Sequence, residues 1–226
     1  MKAKPSCVAG VELAGPDSAH FIPSVEALYG RAVDDVLRGA LPYSVIVRNE
    51  SAAAIALFGV RFDMTGANGK KYSVIHYADS LRHPEKADLV PGAARFVCAE
   101  PLYSDLVLRQ SRDIDERSRM NLENLRKALQ VRASLDCVAF DNGHFAGPDT
   151  NGAFDRLARE RHAESELVRK ISRRSPDDVE AALLHAMEIP DCKGLARRLY
   201  KALLELGPEA AQALAKTHRY RIPLRR

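Results

Sequence analysis

The stretch Ala53–Met64 restricts the fold more than any other part of this sequence. Large apolar side chains occupy alternate positions in it and fall on one face of an extended chain: Phe58, Val60 and Phe62. The positions between them are small or charged and include Arg61 and Asp63. This alternation is typical of an antiparallel β-strand with one buried face.

Six further segments have strand character and are separated by turn signals. They are Gly10–Ala14, Tyr43–Arg48, Lys71–Tyr77, Ala94–Cys98, Val131–Phe140 and His144–Ala146. In Val131–Phe140 the alternation predicts one shared face for Ala133, Leu135 and Cys137. Asn142-Gly143 is expected to form a tight hairpin turn with positive φ at both positions. Several short strands with turns between them predict a β-sandwich rather than a parallel sheet.

Helical patterns surround and interrupt these strands. Ser24–Gly39 is predicted as a helix capped by Ser24, and Ile114–Leu129 as a helix inserted between strands. From Thr150 the chain is predicted to be helical, with Ser175 opening a second helix and further helices at Cys192–Leu206 and Pro208–Lys216. The predicted class is therefore α+β. We expect a sandwich domain over residues 1–150 and a helical, basic segment over 151–226, packed on the sandwich or forming a small separate bundle.

Two stretches carry a resemblance to known proteins. Tyr43–Asn49 leads into the long strand, and Phe140–Asp149 combines a strand end, a tight turn and a Gly-Pro-Asp step before a helix. Together they resemble a group of uncharacterised bacterial proteins with an immunoglobulin-like β-sandwich followed by helices. The resemblance covers about residues 41–170. It implies an antiparallel immunoglobulin-like sandwich and no activity, so it assigns no functional residues.

Charge is distributed unevenly along the 226 residues. Residues 151–226 hold 16 of the 34 Lys and Arg and 11 of the 30 Asp and Glu, which leaves 18 basic and 19 acidic residues before them. The basic residues predicted to contact an anion lie on the expected helices: Arg169, Lys170, Arg173, Arg174, Lys193, Arg197 and Lys201. A solvated helix face explains them equally. Nucleic acid is not favoured as a partner, because no recognised motif is present and only 6% of the residues are aromatic.

A second candidate site lies in Phe140–Asp149. Asp141, His144 and Asp149 could act as acid, base or metal ligands. Turn and helix-cap chemistry accounts for the same residues without a substrate, and we favour that interpretation. Neither a cofactor nor a metal site is predicted.

The cysteines and the N-terminus indicate the compartment. None of Cys7, Cys98, Cys137 and Cys192 forms a CxxC pair, and a Cys98–Cys137 disulfide is left open. Met1–Pro23 contains no apolar run long enough for a signal peptide or a membrane anchor. We therefore expect a cytoplasmic protein, unless a signal peptide has already been removed.

Three functions remain open from the sequence. The leading hypothesis is a non-catalytic protein-interaction module with a protein partner or self-association. The second is anion or nucleic-acid binding through the basic C-terminal helices. The third is a hydrolase or metal-dependent enzyme around Asp141 and His144, which we rank last because no nucleophile–base pair is evident.

Overall fold

The computed structural model describes residues 1–30, 35–80, 88–100, 112–217 and 224–226 of the chain. These residues form two compact units. Within the described ranges, the first unit comprises residues 1–30, 35–80, 88–100, 112–141 and 146–148. The second comprises residues 142–145, 149–217 and 224–226. The predicted α+β class is confirmed.

The first unit contains two sheets. The strands of the chain are β1 (Lys2–Ala3), β2 (Val11–Ala14), β3 (Ser44–Asn49), β4 (Ile55–Thr65), β5 (Lys71–Asp79), β6 (Ala94–Cys98), β7 (Gln130–Phe140) and β8 (Phe145–Ala146). One sheet has the order β1-β7-β4-β5 and the other β2-β3-β6. Neighbours in these two series are antiparallel, except that β1 runs parallel to β7.

The core of this unit takes side chains from both sheets. Phe58, Val60 and Phe62 of β4 are buried, as the alternation predicts, and they belong to the same cluster as Val45 and Val47 of β3. Burial of one such side chain stabilises the fold by about 1.5–3 kcal/mol. The hydrophobic faces of β3 and β4 therefore hold the unit together.

A β-bulge in β7 changes which residues share a face. Leu135 pairs with Val60 and Cys137 pairs with Gly59, so Asp136 has no opposite partner on β4. One extra residue moves every later side chain to the other face of the strand. Leu135 lies in the core cluster and Cys137 does not. The predicted common face for these two residues is therefore wrong.

The helices of the first unit depart from the sequence prediction at their ends. They are α1 (Phe21–Tyr29), α2 (Asp35–Ala40) and α3 (Arg112–Arg126), with a short 3-10 turn at Leu41–Tyr43. Helix α1 starts at Phe21 and not after Ser24, because Phe21 and Val25 pack one turn apart against Ile46 of β3. Helix α2 continues through Gly39, the predicted stop. Residues 31–34 of the predicted helix lie outside the described residues.

The end of α3 also differs from the prediction. Leu122 and Leu125 are buried in the core of the first unit, but Leu129 is 70% exposed. The helix ends at Arg126, and the backbone N–H of Leu129 donates to the carbonyl oxygen of Thr65 at 2.8 Å. Sheet hydrogen bonding therefore begins at Leu129, so the predicted helix end at Leu129 is three residues too late.

The described residues of the second unit form four helices. They are α4 (Ala153–Arg173), α5 (Pro176–Ala186), α6 (Lys193–Leu206) and α7 (Pro208–Thr217). All four contribute to one apolar cluster, whose members include Leu167, Ile171, Val179, Leu183, Leu195, Leu199, Ala211 and Ala215. Their i, i+4 spacing within each helix places them on a single face. The predicted C-terminal helices are confirmed, with the first beginning at Ala153 rather than near Thr150.

Candidate functional site

A groove of about 400 Å³ lies between α4 and α5 in the second unit. Small and branched apolar side chains line much of it: Ala163, Leu167, Ala181, Ala182, Ala186 and Ile189. Residues three or four apart on a helix lie on the same side, so the α4 members share one face and the α5 members another, and both faces line the groove. The alanines leave room that longer side chains would fill, so a cavity remains where the two helices pack together.

Charged side chains complete the lining of the groove. They are Lys170 and Arg174 near the end of α4, Glu166 one turn earlier, and His185 on α5. Arg169 forms an ion pair with Glu166. Lys170 and Arg174 have no ion-pair partner within the described part of the chain. The groove therefore has an apolar floor and an excess of positive charge at the α4 end.

The α4 end of the groove is held in place by α7. The Gln212 side-chain amide donates to the carbonyl oxygen of Ile171 at 3.1 Å and to that of Arg174 at 3.0 Å. These carbonyl groups lie at the end of the helix, where intrahelical donors run out; the Ile171 oxygen also accepts the backbone N–H of Arg174 at 3.4 Å. The backbone that carries Arg174 is thus fixed, while its side chain is exposed.

Cys192 contributes a buried thiol to the groove. Burial raises the pKa of this thiol, and the nearby carboxylates of Glu164 and Asp191 raise it further. Its Sγ lies 3.6 Å from the carbonyl oxygen of Ala186. A protonated thiol is a poor nucleophile, so Cys192 serves as an apolar wall rather than as a reactive group.

The seven predicted anion-binding residues do not form one site. Lys170 and Arg174 line the groove, and Arg169 is paired with Glu166 beside it. Arg173 is exposed in the last turn of α4. The other three lie exposed on α6, where Lys201 forms an ion pair of 3.7 Å with Glu205: Lys193, Arg197 and Lys201. The groove thus brings together two of the seven.

The second predicted site has a structural role at Asp149. Its carboxylate accepts hydrogen bonds from the backbone N–H groups of Ala153 and Phe154, the first residues of α4. It also pairs with the guanidinium of Arg226 at 2.9 Å. Phe154 in turn packs under that guanidinium, 4.5 Å from the ring centre. The sequence predicts that Asp149 or Thr150 caps the following helix; Asp149 does so, from three residues before the N-cap position at Gly152.

The turn before Asp149 differs in detail from the predicted one. Gly143 has a φ of 85°, but Asn142 does not have a positive φ. Among the described residues other than glycine, only Asp149 does. Asn142 instead uses its side-chain oxygen to accept the backbone N–H of His144 at 2.9 Å. The expectation of positive φ at both turn positions is therefore wrong, because an Asn side-chain bond closes the turn.

Other sequence motifs are placed as follows. In the described ranges, no group of three or more His, Cys, Asp or Glu side chains is arranged to hold a metal ion. The four cysteines are free thiols, so the Cys98–Cys137 disulfide is not formed. Asn49, which opens an Asn-Glu-Ser sequence, is buried, and its amide nitrogen donates to the carbonyl oxygens of Ala53 and Leu89.

The sequence analysis did not identify Glu166, His185 and Cys192 as parts of one site. The alanine-rich faces of α4 and α5 are the sequence feature that could have indicated the groove, because small residues on two adjacent helices leave space between them. Which helices face each other depends on tertiary packing, and the sequence pattern does not contain that information.

Comparison with protein-family models, with curated proteins and with solved structures found no match to this chain. Of the helices in the described ranges, none has the length and apolar character needed to cross a membrane.

Proposed function

We propose that this protein is a non-catalytic interaction module that binds an acidic, amphipathic segment of a partner protein in the α4–α5 groove. The observation that carries the proposal is the combination of an alanine-lined apolar floor with the cations Lys170 and Arg174 at one end, neither of which is ion-paired to another described residue. Apolar side chains of the partner would fill the floor, and its carboxylates would meet the cations. Helix-in-groove recognition uses this division between apolar anchors and charged flanks.

The first unit fits the proposal as an immunoglobulin-like scaffold. In immunoglobulin domains strands A, B and E share one sheet, while C and F share the other, with C′ added in the variable type. If β2 to β7 are taken in order as A, B, C, C′, E and F, the observed sheets reproduce that division. The helices α1 and α2 between β2 and β3, and α3 between β6 and β7, are additions to that plan.

Two peptides that differ only in charge test the proposal. Both carry leucine and alanine at the same helical positions, one with glutamate and the other with lysine on the polar face. Fluorescence anisotropy with the full-length protein should show that the glutamate peptide binds at least about tenfold more tightly at low salt. The double variant Lys170→Glu/Arg174→Glu should reverse this preference, and Ala181→Trp should weaken both peptides by filling the groove.

The matched control is Lys193→Glu/Arg197→Glu on α6. It makes the same change in net charge at two exposed residues that do not line the groove. Equal loss of binding in the control and groove variants would contradict the proposal and favour anion binding by the C-terminal helices in general. A wild-type dimer that the groove variants dissociate would place a second copy of the chain in the groove.

The two other hypotheses receive less support. Anion or nucleic-acid binding rests on Lys193 and Arg197, which are exposed one turn apart on α6. It predicts binding to DNA or RNA that falls steeply with salt. A hydrolase or metal-dependent enzyme around Asp141 and His144 would also need Asp149, whose carboxylate already caps α4 and pairs with Arg226.

A further inference from the structure

A second cavity, of about 340 Å³, lies on the sheet of the first unit that contains β4. Its charged lining residues, together with Ser73, come from four neighbouring strands or their ends: Lys4, Arg61, Asp63, Lys71, Ser73 and Arg132. Four of these six residues are cations and one is an acid. The balance is unusual for a segment of the chain that holds more acidic than basic residues.

Strand register places these residues side by side. Asp63 of β4 lies opposite Ser73 of β5 on one side and opposite Arg132 of β7 on the other. Lys71 lies two rows further along, opposite Thr65 and on the same face of the sheet. Side chains that face each other across neighbouring strands are about 4.5–5.5 Å apart at Cβ. The cations therefore project from a hydrogen-bonded sheet and not from independent loops.

Asp63 forms an ion pair with Arg61, one of the four cations, and has a longer-range attraction to Lys4. Its carboxylate accepts hydrogen bonds from Arg61 Nε at 2.8 Å and from Ser73 Oγ at 2.5 Å. Burial raises the pKa of Asp63, but the bonds from Ser73 and Arg61 outweigh it, so the pKa lies below its usual value. The carboxylate is thus ionised at neutral pH and orients Arg61, whose other nitrogen donates to Ser73 Oγ at 3.1 Å.

Three cations remain to attract a ligand: Lys4, Lys71 and Arg132. Lys4 is close enough to Asp63 to lower its pKa. Within the described ranges, Lys71 and Arg132 have no carboxylate at ion-pair distance. The Gln130 side-chain oxygen accepts hydrogen bonds from Arg132 Nη2 at 3.1 Å and Nε at 3.2 Å, which orients the guanidinium without neutralising its charge. A planar guanidinium beside ammonium groups matches the oxygens of a dianion better than the single charge of a carboxylate.

We propose that this cavity on the β4 sheet binds a phosphate group, either free or as the monoester of a larger molecule. The cavity volume is within the range of small-ligand sites and leaves space for a substituent beside the phosphate. Arg61 and Arg132 would supply directed N–H donors, while Lys4 and Lys71 would supply charge. This site is separate in sequence and function from the α4–α5 groove.

Isothermal titration calorimetry of the full-length protein tests the proposal with three probes. They are inorganic phosphate, glycerol phosphate, and vesicles of phosphatidic acid compared with phosphatidylcholine alone. Lys71→Ala and Arg132→Ala should each weaken binding of the preferred probe by about tenfold or more. Lys71→Arg keeps the charge and should restore most of the affinity. Preference for the vesicles would identify a lipid headgroup as the source of the phosphate, and preference for the soluble probes a free metabolite.

The matched control is Lys127→Ala, which removes an exposed cation of the first unit that does not line the cavity. It should leave binding unchanged. Absence of heat with all three probes would overturn the proposal. Weakening by Lys127→Ala as large as that by Lys71→Ala would also overturn it, since attraction would then depend on overall charge. Both residues are exposed, so each variant is expected to fold, and circular dichroism checks this.

Discussion

Replacement of Asp149 by alanine should destabilise the start of α4 by about 3 kcal/mol. The loss of a side-chain cap costs about 1–2 kcal/mol, and the buried N–H of Ala153 would then lack its acceptor. Asp149 also has a φ of 55°, which costs an alanine about 1 kcal/mol more. The ion pair adds little, because the Asp149 side chain is 3% exposed but that of Arg226 is 61% exposed.

Amide hydrogen exchange measures this effect where it occurs. A loss of about 3 kcal/mol should raise the exchange rates of the Ala153 and Phe154 amides by about a hundredfold. Asp149→Asn keeps an acceptor oxygen and tolerates positive φ, so it should cost less than half as much. Arg226→Ala removes only the partly exposed pair and should change exchange by less than about fivefold.

Two results would refute this reasoning. If Asp149→Ala leaves the exchange of both amides unchanged, the carboxylate does not cap the helix in solution. If Arg226→Ala accelerates exchange as much as Asp149→Ala does, the C-terminal residue and not the cap holds the start of α4. Either result would return Asp149 to the list of residues available for chemistry.

Three further predictions concern other parts of the chain. Cys7 is exposed and should react quickly with a thiol reagent in the native protein, whereas the three buried cysteines should react only on unfolding. Gly147→Ala should lower the midpoint of urea unfolding by the equivalent of at least about 2 kcal/mol, because its Cβ would lie 2.5 Å from the carbonyl oxygen of Asp136 at a φ of 115°. Asp63→Asn should destabilise the protein at neutral pH. Since the folded pKa of Asp63 is lowered, the wild-type advantage is present above the ordinary value of 3.8 and disappears as the pH falls through the folded pKa in denaturation curves.

Residue alternation alone was sufficient to predict most of the strands. Successive side chains of a strand point to opposite faces, so the alternate residues Phe58, Val60 and Phe62 specify one buried face. The C-terminal helices were predicted for the same reason, since apolar residues recur one turn apart and Gly207 ends α6 with a φ of 90°. These signals are local, and a chain with such spacing has few alternatives at each position.

Features that depend on distant partners were not predicted. The bulge at Asp136 depends on how β7 aligns with β4, and it changes the facing of Cys137. The start of α1 at Phe21 depends on a contact with Ile46 of β3. Neither partner is near in sequence, so no local pattern contains the information. The α4–α5 groove was missed for the same reason, since it exists only once two alanine-rich faces are opposed.

The distribution of charge shows why segment totals do not locate an anion site. The C-terminal third has an excess of five basic residues, yet some of these cations pair locally, as Arg169 does with Glu166 and Lys201 with Glu205. The preceding part has no such excess, yet β4, β5 and β7 bring Arg61, Lys71 and Arg132 into one cavity. Coulomb attraction depends on separation, and sheet register sets separation between residues far apart in sequence. An anion should therefore distinguish these two regions by geometry and not by their net charge.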